Sequence, residues 1–173
     1  MEWLRGPKMA IVWTVLRVWL GIQWFKAGFG KIQEFDATGY LTGAIGKATG
    51  EYPTVQGWYA TFLKEVALPN VEIINFLIPW GEVLVGIGLI LGAATVPALL
   101  AGAFMNLNFL LAGTLSTNPM LYTVAMILLA AGVGAYYYGV DRVALPYIKK
   151  NVKKRNNHNK NAKNNQHRPI EAH

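Results

Sequence analysis

An all-α, integral membrane four-helix bundle is the fold class that three features of this sequence predict. The composition is 53% hydrophobic and only 14% charged, with a mean hydropathy of +0.28, as in membrane rather than soluble chains. Four apolar stretches, residues 9–29, 71–92, 97–115 and 120–138, each approach the roughly 20 residues that cross a hydrocarbon core about 30 Å thick. The flanking charges are segregated. Arg5 and Lys8 oppose Glu2 at the start and the C-terminal tail is basic, whereas the long connection between the first two spans carries Glu34, Asp36, Glu51, Glu65 and Glu72 against Lys47 and Lys64. Positive-inside bias puts both termini in the cytoplasm and that connection outside, so the number of spans is even. Residues 1–148 are then one transmembrane domain in the cell membrane, and residues 149–173 a basic, disordered cytoplasmic tail.

The first span, Met9–Phe29, carries Trp13, Trp19 and Trp24, with Arg17 well inside and Lys26 and Lys31 near the far end. Its preceding MEWLRGPK has no small-residue cleavage site, so the helix is expected to be retained. Arg17, Gly21, Trp24, Gly28 and Lys31 recur at steps of four and three, which marks one inward-facing seam. The glycines on it let a neighbouring backbone come close. Gln33–Asn70 is glycine-rich and not apolar enough to span. Within it Trp58–Leu68 has the spacing of a short amphipathic helix at the interface, folded over the mouth of the bundle or simply anchoring it.

Val71–Gly92 holds Glu82 near its middle, where an ionised carboxylate costs about 2.5–3.5 kcal/mol on insertion scales and needs a polar answer. Pro79, one turn earlier, cannot donate to the carbonyl of Asn75 and leaves that acceptor free. Asn75, Pro79, Glu82 and Gly86 share a face. This is either a kinked helix with a structural ion pair or a ligand and proton site. Thr95 suits a cap for the third span and Pro97 its first turn. Asn106 and Asn108 point to nearly opposite sides of that helix, one as interhelical glue and one toward a cavity. The fourth span ends in Tyr136, Tyr137 and Tyr138, an interfacial belt, before Asp141 and Arg142.

With Arg17 and Glu82 both near mid-depth, the economical arrangement is an ion pair between them. That pair, the Asn75 carbonyl and one of Asn106 or Asn108 would make a polar pocket walled by Trp24, Trp80 and Phe109. A mostly apolar pocket with a few convergent polar groups suits a small amphipathic ligand such as a quinone head group, with Glu82 carrying a proton and Arg17 polarising a carbonyl. The same residues would also suit the path of a small-solute carrier or channel, or a purely structural assembly subunit.

Several classes are excluded. The chain has no cysteine, so it holds no disulfide, thiol relay or thiolate-bound cluster. His158, His167 and His173 all lie in the tail, too isolated to specify a metal and too remote to ligate a haem in the membrane region. The net charge of +7 is a property of the tail, since nine of the sixteen Lys and Arg lie in Arg142–Arg168. From Lys149 the tail cannot bury enough surface to fold alone. Its basic charge suits anionic lipid, and without aromatics it offers nucleic acid no stacking platform.

The motifs RVWLGIQWFKAGFGKI (Arg17–Ile32), FDATGYL (Phe35–Leu41), WYATFLKEVALPN (Trp58–Asn70), WGEVLVGIGLILG (Trp80–Gly92), MNLNFLLAGTLSTNP (Met105–Pro119) and GVDR (Gly139–Arg142) resemble the DoxX family, and within it the DoxD-like branch. The resemblance covers nearly all of Arg17–Pro146 and leaves the basic tail outside. DoxD-like proteins are the membrane part of thiosulfate:quinone oxidoreductase, which oxidises thiosulfate to tetrathionate and passes electrons to quinone with a second subunit. Other DoxX-like proteins are linked to membrane redox complexes of oxidative-stress defence. The resemblance therefore implies a thiosulfate dehydrogenase (quinone) subunit with a quinone, a partner subunit and an accompanying lipid bilayer, and allows a homo-oligomer. The family's charged helix positions fall on Arg17, Lys31, Glu82 and Asp141. The expected catalytic residues are Glu82 and Arg17. The expected ligand-binding residues are Trp24, Lys31, Asn75, Trp80, Asn106, Asn108 and Asp141. With neither thiol nor membrane-embedded histidine, the chain cannot store electrons alone.

Overall fold

In the computed structural model, which describes residues 6–166 and side chains as far as Arg155, the described residues are helical with no strand. Helix α1 is Pro7–Phe29, with proline in its first turn, where a missing N–H costs nothing. Its buried face is Ala10, Trp13, Arg17, Leu20, Gly21, Trp24 and Gly28, the seam that the three-and-four spacing marks. Helix α2 (Ala37–Gly46) lies in the glycine-rich connection, in a stretch for which no helix was expected. It forms because Ala37, Leu41 and Ala44 make a buried stripe and because its start is held by Asp36 and Asn75. Helix α3 (Gly57–Phe62) runs through a π-helical turn, Leu63–Ala67, and a 3-10 turn, Leu68–Asn70, directly into α4 (Val71–Leu91). The expected short amphipathic helix is therefore the first part of a continuous helical path into the second span.

Gly92 ends α4 in the left-handed region at φ 66°, a C-cap geometry that glycine adopts without steric cost. Helix α5 (Thr95–Leu111) follows after a three-residue link that begins with Gly92. Helix α6 (Asn118–Ala131) stops earlier than expected, because Gly132 at φ 56° breaks it into a 3-10 turn, Gly132–Tyr136. Helix α7 (Asp141–Gln166) replaces the disordered tail expected from Lys149. No glycine or proline interrupts residues 147–166, and an acidic start followed by basic residues complements the helix dipole. His167 and His173 lie outside the described residues.

Helix α1 packs on α4, α4 on α5, α5 on α6, and α6 with its 3-10 extension returns to α1. One apolar core, built on Leu20, Trp24, Leu89, Leu99, Ala125 and Leu128, fills the middle. A second gathers Ala37, Leu41, Val55, Tyr59, Leu63 and Ala112, so the long connection does fold onto one end of these helices. The stretches Gly57–Leu91 and Asn118–Tyr136 are long and apolar enough to cross a membrane, and α5 is a shorter apolar helix. Outward-facing residues are also apolar, among them Ile11, Val15, Phe76, Leu84, Leu100 and Phe104.

Candidate functional site

The site begins where α1 and α4 touch. A Cβ on Gly28 would stand 2.6 Å from the Pro79 carbonyl oxygen and 2.8 Å from the Glu82 Cβ. One on Gly86 would meet the Phe25 backbone nitrogen at 2.5 Å, and one on Gly21 the Gly86 carbonyl at 2.9 Å. These glycines let two antiparallel backbones come together in a single register. In that register Gly28 lies beside Glu82, and Lys31, in the turn that follows α1, reaches over the carboxylate.

Lys31 Nζ donates to Glu82 Oε1 at 2.7 Å and to Oε2 at 2.8 Å. Glu82 is the buried member, its side chain 1% exposed, while that of Lys31 is 33% exposed. The ammonium lies 5.7 Å from the ring centres of both Phe35 and Phe109, so two aromatic faces help to replace its hydration. Tyr40 meets Phe109 edge-on at 6.3 Å, and its hydroxyl oxygen accepts from Thr114 Oγ1 at 3.0 Å. On α2, burial raises the Tyr40 hydroxyl pKa, so it stays protonated at neutral pH.

Phe109 is shared with a groove of about 460 Å³ between the α3–π turn segment, α4 and α5. The groove is almost wholly apolar, with Leu63, Ile74 and Phe104 among its walls. Its polar-bearing residues are Tyr40, Tyr59, Asn70 and Asn108, and the Tyr59 hydroxyl lies 3.1 Å from both the carbonyl and the side-chain oxygen of Asn108. Asn108 Nδ2 donates to the Phe104 carbonyl at 2.8 Å, which fixes the amide's orientation. A groove of this size, apolar with a few convergent polar groups, fits an amphipathic molecule with a hydrocarbon tail.

The expected Arg17–Glu82 pair does not form. Arg17 is eleven residues before Gly28 on α1, about 16 Å along the axis at 1.5 Å per residue. Its buried guanidinium instead donates from one nitrogen to the Leu89 and Ile90 carbonyls and from the other to the Tyr138 carbonyl at 2.8 Å. The Leu89 and Ile90 carbonyls are among the orphan acceptors at the C-terminus of α4, where a cation also suits the dipole. Nearby, Asp141 accepts from the backbone N–H groups of Ala94 at 2.8 Å and Thr95 at 2.7 Å, and so caps α5. Thr95 is not its own helix's cap: its buried hydroxyl has no partner among the described residues. The four charged positions are thus two separate clusters, Lys31 with Glu82 and Arg17 with Asp141, at opposite ends of the α1–α4 contact.

The remaining expected residues are dispersed. Trp80 faces outward and packs on Phe76 at 6.2 Å between ring centres. Asn75 Oδ1 accepts from the Ala37 N–H at 2.8 Å and serves α2 rather than a pocket. Trp24 is buried against Gly102, and neither its indole N–H nor either amide atom of buried Asn106 has a partner among the described residues. Asn108 does face the groove. Sequence reasoning did not single out Tyr59, Tyr40 or Phe35. The usable signal for Tyr59 was the amphipathic spacing of Trp58–Leu68, read as an interfacial anchor.

An all-helical apolar protein with a buried carboxylate–ammonium pair beside a lipophilic groove is the class that this geometry defines. The chain belongs to the DoxX family: the model for that family, described as DoxX, matches residues 12–115. That span contains both halves of the Lys31–Glu82 pair and the whole groove. No curated protein and no solved structure matches the chain.

Proposed function

We propose that α1, α4, α5 and α6 form a four-span bundle in the cell membrane with both termini cytoplasmic. In this reading the chain is the membrane subunit of a quinone-linked oxidoreductase of the DoxD-like branch, with thiosulfate as donor and a second subunit as partner. DoxX membership is consistent with a subunit associated with a membrane oxidoreductase. The apolar outer faces of α1, α4 and α5 support insertion, because a soluble surface rarely carries so many large apolar residues.

One observation carries the functional reading: the buried Lys31–Glu82 pair and the apolar groove share Phe109 as a wall. Tyr40 and Asn108 bring polar atoms to the groove, and the isoprenoid tail of a quinone matches the rest. A bound quinone would supply the two-electron acceptor. The residues of this chain would bind, orient and exchange a proton. An ammonium has three donors, and two of those on Lys31 are directed at Glu82, so the third can meet a carbonyl oxygen on the exposed side. Glu82 is the buried carboxylate held by Lys31 and is the group placed to take or give a proton beside it. Arg17 has no catalytic part in this reading; it ties helix ends together.

The test is thiosulfate-dependent reduction of a short-chain quinone analogue by the purified protein, alone and with its co-purifying partner. Activity only with the partner is expected, lost in Glu82→Gln with the fold retained. A folded, quinone-free preparation that is inactive in both states would overturn the redox reading.

A further inference from the structure

The first half of α7 carries an apolar face whose large residues are left exposed by the described residues. Its start is rigid, because Asp141 caps α5 and the Arg142 guanidinium lies 4.1 Å from the centre of the Tyr137 ring. Beyond it Val143, Tyr147, Ile148 and Val152 are 76%, 68%, 53% and 52% exposed. At about 100° per residue these four, with Ala144 and Leu145, occupy roughly half of the helix circumference. Arg142, Lys149 and Lys153 fall on the other half, Lys150 borders Val143, Lys154 lies at the edge between Val143 and Tyr147, and Asn151 is a polar residue within the apolar arc. Arg155 falls on the apolar side, at the end of the stretch. Apart from the capping Asp141, no acidic residue lies in 141–155.

We infer that residues 142–155 of α7 bind an anionic lipid surface, lying in the interface with the apolar face toward the acyl chains. An amphipathic helix with cations of one sign on its polar face partitions into the headgroup boundary by apolar burial together with attraction to acidic lipid. Border lysines suit that depth, since their methylene stems cover apolar surface while the ammonium reaches phosphate. The charge selects the occupant. A protein groove for this helix would need acidic walls, whereas an acidic leaflet offers that charge along the whole face. Nucleic acid would satisfy the lysines and leave Val143, Ile148 and Val152 in water. The inference rests on the membrane reading proposed above and is independent of the quinone.

The absence of native cysteine allows a clean test on the full chain. Val152→Cys and, separately, Lys153→Cys carry an environment-sensitive fluorophore in nanodiscs of phosphatidylcholine alone or mixed with phosphatidylglycerol. A blue shift at Val152→Cys that requires phosphatidylglycerol, recedes in high salt and is much smaller at Lys153→Cys is expected. Replacing Lys149, Lys150, Lys153 and Lys154 together by Gln should remove the Val152→Cys shift and leave the melting temperature of the bundle unchanged. Identical spectra at both positions in both lipids, in discs that hold the bundle, would overturn the inference and leave the membrane reading standing. A shift produced equally by a single-stranded oligonucleotide without acidic lipid would also overturn it. A chain that stays monodisperse without detergent or disc would overturn the membrane reading itself.

Discussion

Glu82 is a buried charge whose only hydrogen-bond partner among the described residues is one flexible lysine, and that makes the pair sensitive to which half is removed. Lys31→Met strands an ionisable group in the core and is expected to cost about 3–5 kcal/mol, read as a lowered melting temperature in detergent. Removing both charges, Lys31→Met with Glu82→Met, should recover most of that loss, because no unpaired group remains. If the double variant is as unstable as the single, the pair is not what holds these helix ends. Asn106 behaves differently. Its amide is fully buried with no hydrogen-bond partner among the described residues, so Asn106→Leu, which keeps the branching and removes both polar atoms, should match or exceed the native melting temperature. A drop of more than about 1 kcal/mol would mean that the amide is satisfied in the working protein. Of the charged residues, Arg17 and Glu82 are both legible from sequence as buried charges. Their partners are not, because two charges each needing an opposite are compatible with several pairings until the helix register is known.

At the scale of elements, the α1–α4 contact depends on absent side chains. Gly28→Ala and Gly86→Ala each force a methyl group into the opposing backbone, and overpacking of this kind costs about 1–3 kcal/mol. Gly43→Ala is the control, since nothing lies within 4 Å of its Cβ position on α2. There alanine should stabilise by about 0.4–1 kcal/mol through helix propensity and a less flexible unfolded chain. Helix α2 also has a pH response. Hydrogen bonds from the Thr38 hydroxyl and then its backbone N–H hold the Asp36 carboxyl below the ordinary value of 3.8. A folded-state pKa below the unfolded one contributes stability that is present above the ordinary value and lost as pH falls through the folded value. Amide exchange over residues 37–46 should therefore quicken in that acidic window in the native chain. In Asp36→Ala it should be fast throughout.

For the whole molecule, the two charged clusters at opposite ends of α1 and α4 predict opposite accessibility. In the proposed topology Tyr52→Cys and Lys153→Cys, each the sole cysteine, should react with a membrane-impermeant maleimide from opposite faces of oriented vesicles. Labelling of both from one face would break the even-span topology. The presence of apolar helices and the inward seam of α1 could be read from the chain, because burial in a helix imposes a local three-and-four periodicity. That local pattern also gave the positive-inside asymmetry its meaning. The end of α4 at Gly92 was legible for the same reason, whereas the early end of α6 at Gly132 was hidden inside an apolar run. What only the tertiary structure decided was who meets whom. Glycine-on-backbone packing sets the α1–α4 register, and that register gives Glu82 to Lys31, sends Arg17 to the carbonyl end of α4 and leaves Asp141 to cap α5. The chain between α1 and α4 then folds back to build the groove beside Phe109. Both outcomes depend on contacts between residues far apart in sequence, for which a single sequence carries the participants but no distances.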